Sequence, residues 1–226
     1  MLFQIDLNGS VGAVAVTLEG NAGVVICNSD FKGKPCYTED VIYLIKLGEG
    51  VYCSHEGKLF VEGKGDFEYS PSGRIARLGN IAFDYYNSGR LMRIGAVPVE
   101  YYGSSRRFSK IGKTELEYHG ARGILIKVGK AEIRYIPGSG KISKIGDDVL
   151  EYYGSGKIMK IGRVNVDYYG SDKVQRIGSA GFEYFASGKI KSVGGFAFDY
   201  SPSDRLCRGC CCNIEYLPSG KILSVK

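Results

Sequence analysis

One pattern recurs through most of this chain: h-x-h-[DE]-Y-x-x-S-G-[KR]-h-x-[KR]-h-G, where h is apolar, legible in IAFDYYNSGRLMRIG, VNVDYYGSDKVQRIG and FAFDYSPSDRLCRGC. Its tyrosines are Tyr69, Tyr85, Tyr101, Tyr118, Tyr135, Tyr152, Tyr168, Tyr184, Tyr200 and Tyr216, at steps of 16 or 17 residues. Two weaker copies, led by Tyr52 and Tyr37, precede these ten, so the array is expected to start near residue 36. A fixed period of this size means one supersecondary unit repeated, each copy burying its apolar face against its neighbours.

The unit reads as a β-hairpin. In Ser70-Pro71-Ser72-Gly73, proline suits the first central position of a type I turn and glycine the left-handed position after it, as in three-residue hairpin loops. The seventeenth residue of the longer copies falls in this segment, where a loop tolerates it. Ser70 then faces Arg74, Tyr69 faces Ile75 and Glu68 faces Ala76. This places Phe67, Tyr69 and Ile75 on an apolar face and Glu68, Arg74 and Leu78 on the other. The second glycine, Gly79 and its equivalents, turns the chain into the next hairpin. Carboxylates such as Glu151 and Asp167 recur once per unit opposite Lys160 and Arg176, which predicts a ladder of cross-strand ion pairs rather than acid–base chemistry.

An all-β fold follows, of tandem 16–17-residue hairpins forming an antiparallel meander sheet, extended or curled, with a two-sided β-solenoid as the alternative. The hairpin loop favours the meander. Curling hides an apolar ladder that a flat sheet would leave in water. The array has two ends in this reading, so truncating Tyr216 in its last unit should cost less than truncating Tyr135 in its middle. Residues 1–35 break the period with strand-like runs between Asn-Gly and Gly-Asn turns, and are expected to form an N-terminal β cap over an exposed sheet edge. The array then covers 36–226, with degenerate units in 36–64 and clear ones in 65–226.

Composition is that of a folded chain: Gly 33, Tyr 17, Phe 10 and no Trp in 226 residues, with 24% charged. The first basic residue is Lys32; the net charge of +6 divides into −3 over residues 1–31 and +9 after them. Most basic residues recur near a carboxylate, which favours neutralising pairs over a nucleic-acid patch. The start has no basic leader region and carries Asp6 ahead of its apolar run. With no apolar stretch long enough to span a bilayer, a cytoplasmic protein with reduced thiols is expected.

The run Tyr152-Tyr153-Gly154-Ser155-Gly156-Lys157-Ile158-Met159-Lys160-Ile161-Gly162 resembles the variant MORN repeat, over about residues 49–226. It is also similar to bacterial tandem-hairpin proteins whose units read I-G-x-h-x-h-[DE]-Y. The MORN unit carries a further glycine-aromatic segment absent here, so the resemblance transfers no site residue. It implies successive hairpins and a scaffold or interaction role with membrane or protein partners.

Chemistry-bearing motifs are few. Cys207-x-x-Cys210 has the spacing of half a zinc site without a second half, and the repeat register makes both cysteines local replacements. No nucleophile elbow, phosphate loop or zinc-protease motif is present. No enzyme, cofactor or metal is expected. Two roles remain: a repeat scaffold or protein-interaction surface, or a ligand-binding module. In the second, Tyr86, Tyr102, Tyr153 and Tyr169, with Arg90, Arg107, Lys157 and Lys173, stack on a glycan or single-stranded nucleic acid. Protein is the expected partner, with nucleic acid, glycan and membrane surface as the other candidates.

Overall fold

The computed structural model describes residues 1–7, 10–27, 40–54, 57–121, 123–202, 205–209 and 212–226. Among them are 26 antiparallel strands and no helix. They close into two separate barrels, one of six strands and one of twenty.

The twenty-stranded ring is made by the repeats. In the first, β7 (Gly65–Tyr69) and β8 (Ile75–Leu78) flank the expected three-residue loop. The Ser70 amide donates to the Arg74 carbonyl and the Gly73 amide to the Ser70 carbonyl, both at 2.8 Å, and Gly73 takes φ 80°. Tyr69 faces Ile75, but Glu68 faces Arg77 and Phe67 faces Leu78. Ala76 is therefore the extra residue of a β-bulge, not the partner of Glu68. The bulge corrects the expected faces: Ile75 and Leu78, three apart, both turn inward and are fully buried with Phe67. Nine further hairpins follow, and all ten carry the register shift.

Between hairpins, Gly79 and Asn80 form a two-residue turn into β9 (Ile81–Tyr85), pairing Leu78 with Ile81 and Arg77 with Ala82. Gly79 has φ 56°, the positive value that a tight primed turn requires at its first central position. Crossing from Glu68 to Arg77 to Ala82 moves back two positions per repeat, because Ala82 holds the place of Asp66. One residue of offset per strand tilts the strands by about 36° and gives twenty strands a radius of roughly 18 Å.

The last strand, β26 (Ile222–Val225), pairs with β7 through Ser224–Asp66 and Val225–Gly65, the register used between every other pair of hairpins. The repeats are thus related by rotation about one axis with no net climb. Ten hairpin loops lie at one rim and the short glycine turns at the other. The curled meander is the architecture adopted, carried through to full closure; an end repeat with a single neighbour does not exist.

The ring encloses the other barrel. Strands β1 (Leu2–Ile5), β2 (Val11–Thr17), β3 (Ala22–Cys27), β4 (Asp40–Gly48), β5 (Val51–Ser54) and β6 (Leu59–Glu62) pair in order, and β1 closes on β6. Alternate residues point two ways, and both directions are apolar. Leu2, Ala13, Ala15, Ile42, Leu44 and Phe60 fill the narrow interior, where alanines leave room in a six-stranded barrel. Phe3, Ile5, Val14, Val16, Val24, Tyr43, Val51, Cys53, Leu59 and Val61 point outward into one continuous core with the ring's inner face.

Contacts run around the circumference. The Phe3 ring meets Phe67 edge-on at 5.4 Å, and the Leu91 amide donates to the Leu7 carbonyl at 3.0 Å. Thr114 Oγ1 donates to the Leu47 carbonyl at 3.5 Å, and Ser179 Oγ to Glu19 at 3.1 Å. Strands β1–β6 are therefore an inner plug rather than an edge cap, since a closed ring has no edge to cover. Strands β4–β6 fall within the stretch expected to hold degenerate repeats, yet they pair with β1–β3 and not with the ring. The weak copy at Tyr37 lies outside the described residues.

Candidate functional site

With the interior filled, the solvent-facing chemistry lies on the ring's outer wall and its rims. Three tiers repeat around the wall. The middle tier is a belt of cross-strand ion pairs, among them Asp84–Arg93 at 2.6 Å, Glu117–Lys127 at 2.6 Å, Glu151–Lys160 at 3.8 Å and Asp167–Arg176 at 2.7 Å. The predicted carboxylate ladder is this belt, and its members are largely exposed.

Above the belt the repeats are stitched to one another. Tyr85, Tyr101, Tyr135, Tyr152, Tyr184 and Tyr216 each donate their hydroxyl to a backbone carbonyl ten residues earlier, in the preceding hairpin, at 2.5–2.8 Å. Each ring lies half-buried against the core. Burial pushes the Tyr85 phenol up to about 12, against the opposing effect of the Arg74 charge. Tyr69, Tyr101 and Tyr118 are displaced upward for the same main reason.

At the level of the loops lies a shoulder of aromatic and basic residues, and the eight binding residues named from the sequence all fall there. Tyr86, Tyr102, Tyr153 and Tyr169 are 38–47% exposed. Each donates its hydroxyl to a carbonyl of the next hairpin: Val99, Leu116, Val166 and Phe182, at 2.8–3.1 Å. Each packs edge-to-face on the next repeat's core tyrosine, at about 6 Å between centroids.

The cations reach the same way. The Arg90 guanidinium lies 4.7 Å from the centre of the Tyr101 ring and donates to the Gly103 and Ser105 carbonyls. Arg107 donates to the Ala121 carbonyl at 3.0 Å, and Lys173 sits over Tyr184 and donates to the Gly188 carbonyl at 2.6 Å. Lys157 sits over Tyr168 and pairs with Asp172 at 3.1 Å. The ring does not gather these eight residues into one pocket; it spreads them along an arc. Phe185, exposed and packed edge-to-face on Tyr200, continues the series. Its shoulder position after Tyr184 is the signal that identifies it.

The opposite rim carries the locks that hold the plug. The Tyr43 hydroxyl, almost wholly buried, donates to Asp148 Oδ2 at 2.6 Å, and Asn21 Nδ2 donates to both groups at 2.9 Å. Burial, reinforced by Asp148, raises the Tyr43 phenol well beyond the usual tyrosine range. Glu19 accepts from the amide and hydroxyl of Ser179. These polar residues escaped the sequence reading because their partners lie more than 100 positions away.

Cys207 occupies the bulge of its hairpin and donates to the Asp199 carbonyl at 3.3 Å; Cys210 lies outside the described residues. Among the described residues no cluster of three or more His, Cys, Asp or Glu could hold a metal. Cys53 and Cys212 are buried free thiols, and burial pushes the Cys53 thiol up to about 12. Gly209 stands where other hairpins bury an aliphatic such as Leu78, and the Phe198 ring and the Met1 methyl occupy that space.

No family model and no curated protein matches the chain. No helix among the described residues is long and apolar enough to cross a membrane.

Proposed function

We propose that the chain is a non-enzymatic binding scaffold, a rigid closed ring that presents its outer wall and loop rim to partners. The observation that supports this reading is the filled interior: the lumen of the ring is occupied by the plug, and the two share a continuous apolar core. The exterior is left as the working surface. On it, the belt charges neutralise each other, and among the described residues five of the six exposed large aromatics lie in the loop tier beside its cations, the sixth, Phe196, being on the turn rim. Cross-linking in the native cell, with a photoreactive residue placed in turn at exposed Ser155 in a loop and exposed Lys130 on the turn rim, tests this. A stoichiometric macromolecular adduct from the loop positions is the expected result. Absence of any adduct together with measurable turnover of a small molecule by the purified chain would overturn it.

A further inference from the structure

The ring's net charge is confined to one tier. Residues 65–226 contain 25 Lys and Arg against 16 Asp and Glu. The ten loop segments, each running from the residue after the core tyrosine to the basic residue or glycine that closes the loop, hold eleven of those basic residues and only two of the acidic ones, Asp172 and Asp204. The rest of the ring balances at fourteen against fourteen. The whole excess of nine positive charges therefore lies at the loop rim, although the chain's composition shows only a moderate basic balance. Arg90, Arg107 and Lys173 donate to backbone carbonyls, Arg90 also to the Ser88 hydroxyl, contacts that orient a cation without neutralising it; Lys157 instead pairs with Asp172.

The exposed aromatics follow the cations on a defined arc. The shoulder residue is Tyr86, Tyr102, His119, Ile136, Tyr153, Tyr169 and Phe185 in seven successive repeats, then Ser201, Leu217 and Ser70 in the other three. A step of two strands sets neighbouring shoulder sites about 9.5 Å apart. The loop tips beyond them are Ser, Pro and Gly, as in Ser70-Pro71-Ser72-Gly73 and Gly154-Ser155-Gly156. The cations are set back behind the tips, lying over the next tyrosine. A flat anionic bilayer pressed on this rim would meet mostly uncharged tips first, with the exposed carboxylate of Asp172 among them. A polymer lying along the shoulder would meet a cation at each step and a ring at six of the seven, Ile136 being the aliphatic exception.

Alternating cations and exposed aromatics along a curved track is the arrangement that holds single strands, with phosphates on the charges and bases on the rings. We propose that the shoulder from Tyr86 to Lys189 binds single-stranded nucleic acid along its backbone, without base preference. This rests on reading the ring as a binding scaffold and names its partner class.

The test uses fluorescence anisotropy of the full chain with a labelled 20-nucleotide oligo-dT and oligo-U, a duplex of equal length, and phosphatidylserine vesicles. Both single strands should bind, with affinity falling steeply as salt rises. Lys141→Gln/Lys173→Gln/Lys189→Gln should weaken binding at least 10-fold. Lys113→Gln/Lys130→Gln/Arg163→Gln removes the same charge from exposed positions on the opposite rim and should weaken it less than about 3-fold. Tyr153→Leu/Tyr169→Leu should cost at least a further 5-fold for the single strands.

No binding to either oligonucleotide at low salt, or equal losses from the two lysine sets, would overturn the proposal. Preference for duplex or vesicles over single strands would do the same, while leaving the scaffold reading intact. Should a variant fail to fold, ultraviolet cross-linking of the unaltered chain to oligo-U decides: adducts belong on peptides containing Tyr153, Tyr169 or Phe185, and adducts confined elsewhere refute the track.

Discussion

Tyr69 Oη donates to the carbonyl of Ile222, 153 residues further along the chain, at 2.8 Å. It is the same bond that Tyr85 makes to Ile75 within neighbouring hairpins. Lys221 lies 4.8 Å over the Tyr69 ring and donates to the Gly73 carbonyl, again as its counterparts do one repeat apart. The seam thus repeats the side-chain and ladder bonds of the other junctions, without the two-residue turn that joins consecutive hairpins.

The first expectation follows directly. Tyr135→Ala and Tyr216→Ala should destabilise the protein by similar amounts, about 3 kcal/mol each, because both lose a half-buried ring and its hydroxyl bond while having neighbours on both sides. The graded loss expected of an open array is replaced by equality. Denaturant titrations of the two variants check it; a Tyr216 loss smaller by more than about 1.5 kcal/mol would mean that the seam opens in solution.

Removing the plug should abolish the ring. A chain of residues 63–226 would turn buried Ile75, Leu78, Leu91, Val99, Ile111 and the rest of the inner face toward an aqueous lumen. Each such aliphatic forfeits about 1.5–3 kcal/mol of burial. Circular dichroism and size-exclusion chromatography should show an unfolded or aggregated chain. A monodisperse β-rich ring would refute the plug's structural role.

The Tyr43–Asp148 lock should be worth about 1–2 kcal/mol, read as the stability lost in Tyr43→Phe, which strips one donor from a part-buried carboxylate. Asp148→Asn should lose less, because the amide still accepts from Tyr43. A Tyr43→Phe protein as stable as the parent by thermal melting would show that Asn21 alone suffices.

Alkaline pH should unfold the protein through its tyrosines. Unfolded tyrosines ionise near their usual value of about 10, whereas in the folded ring Tyr85 is held up to about 12. Tyr69, Tyr101, Tyr135 and Tyr152 are displaced in the same direction by burial. The unfolded state releases those protons first, so this contribution is fully present below pH 10 and is lost as pH rises toward 12. Stability should decline gently from about pH 8.5, where an unfolded Cys53 thiol ionises but the buried one, pushed up to about 12, does not, and fall steeply above 10 in step with a delayed phenolate absorbance. Normal titration of all tyrosines in the folded protein would contradict it.

The hairpin, its loop, the turn glycines and the ion-pair belt were legible because they are set by residues within one 16-residue unit. The bulge was not: Ile75 and Leu78, three apart, fall on opposite faces of a regular strand, and only the shifted register that leaves Ala76 unpaired brings both inward. The plug left a trace in runs such as LFQI and VGAVAVT, apolar on both strand faces, which signals burial on both sides.

Closure was not legible. It depends on ten repeats each contributing the same two-residue offset, and on β26 meeting β7 in register, a relation between the two ends of the array. For the shoulder, the sequence supplied exposure and residue type. That Tyr153 and Lys157 reach into the following hairpin depends on the sideways spacing of strands, which no single unit encodes.

Two nested barrels also imply arithmetic. Radius grows by roughly 1 Å for each strand added, so the step from six strands to twenty opens a gap on the order of 10 Å, the thickness at which two sheet faces interdigitate. One hairpin more or fewer would change the ring's radius by about 2 Å, enough to leave a void all round or to prevent closure. The girth of the six-stranded barrel β1–β6 and the circumference of ten hairpins are therefore matched, and neither can change alone.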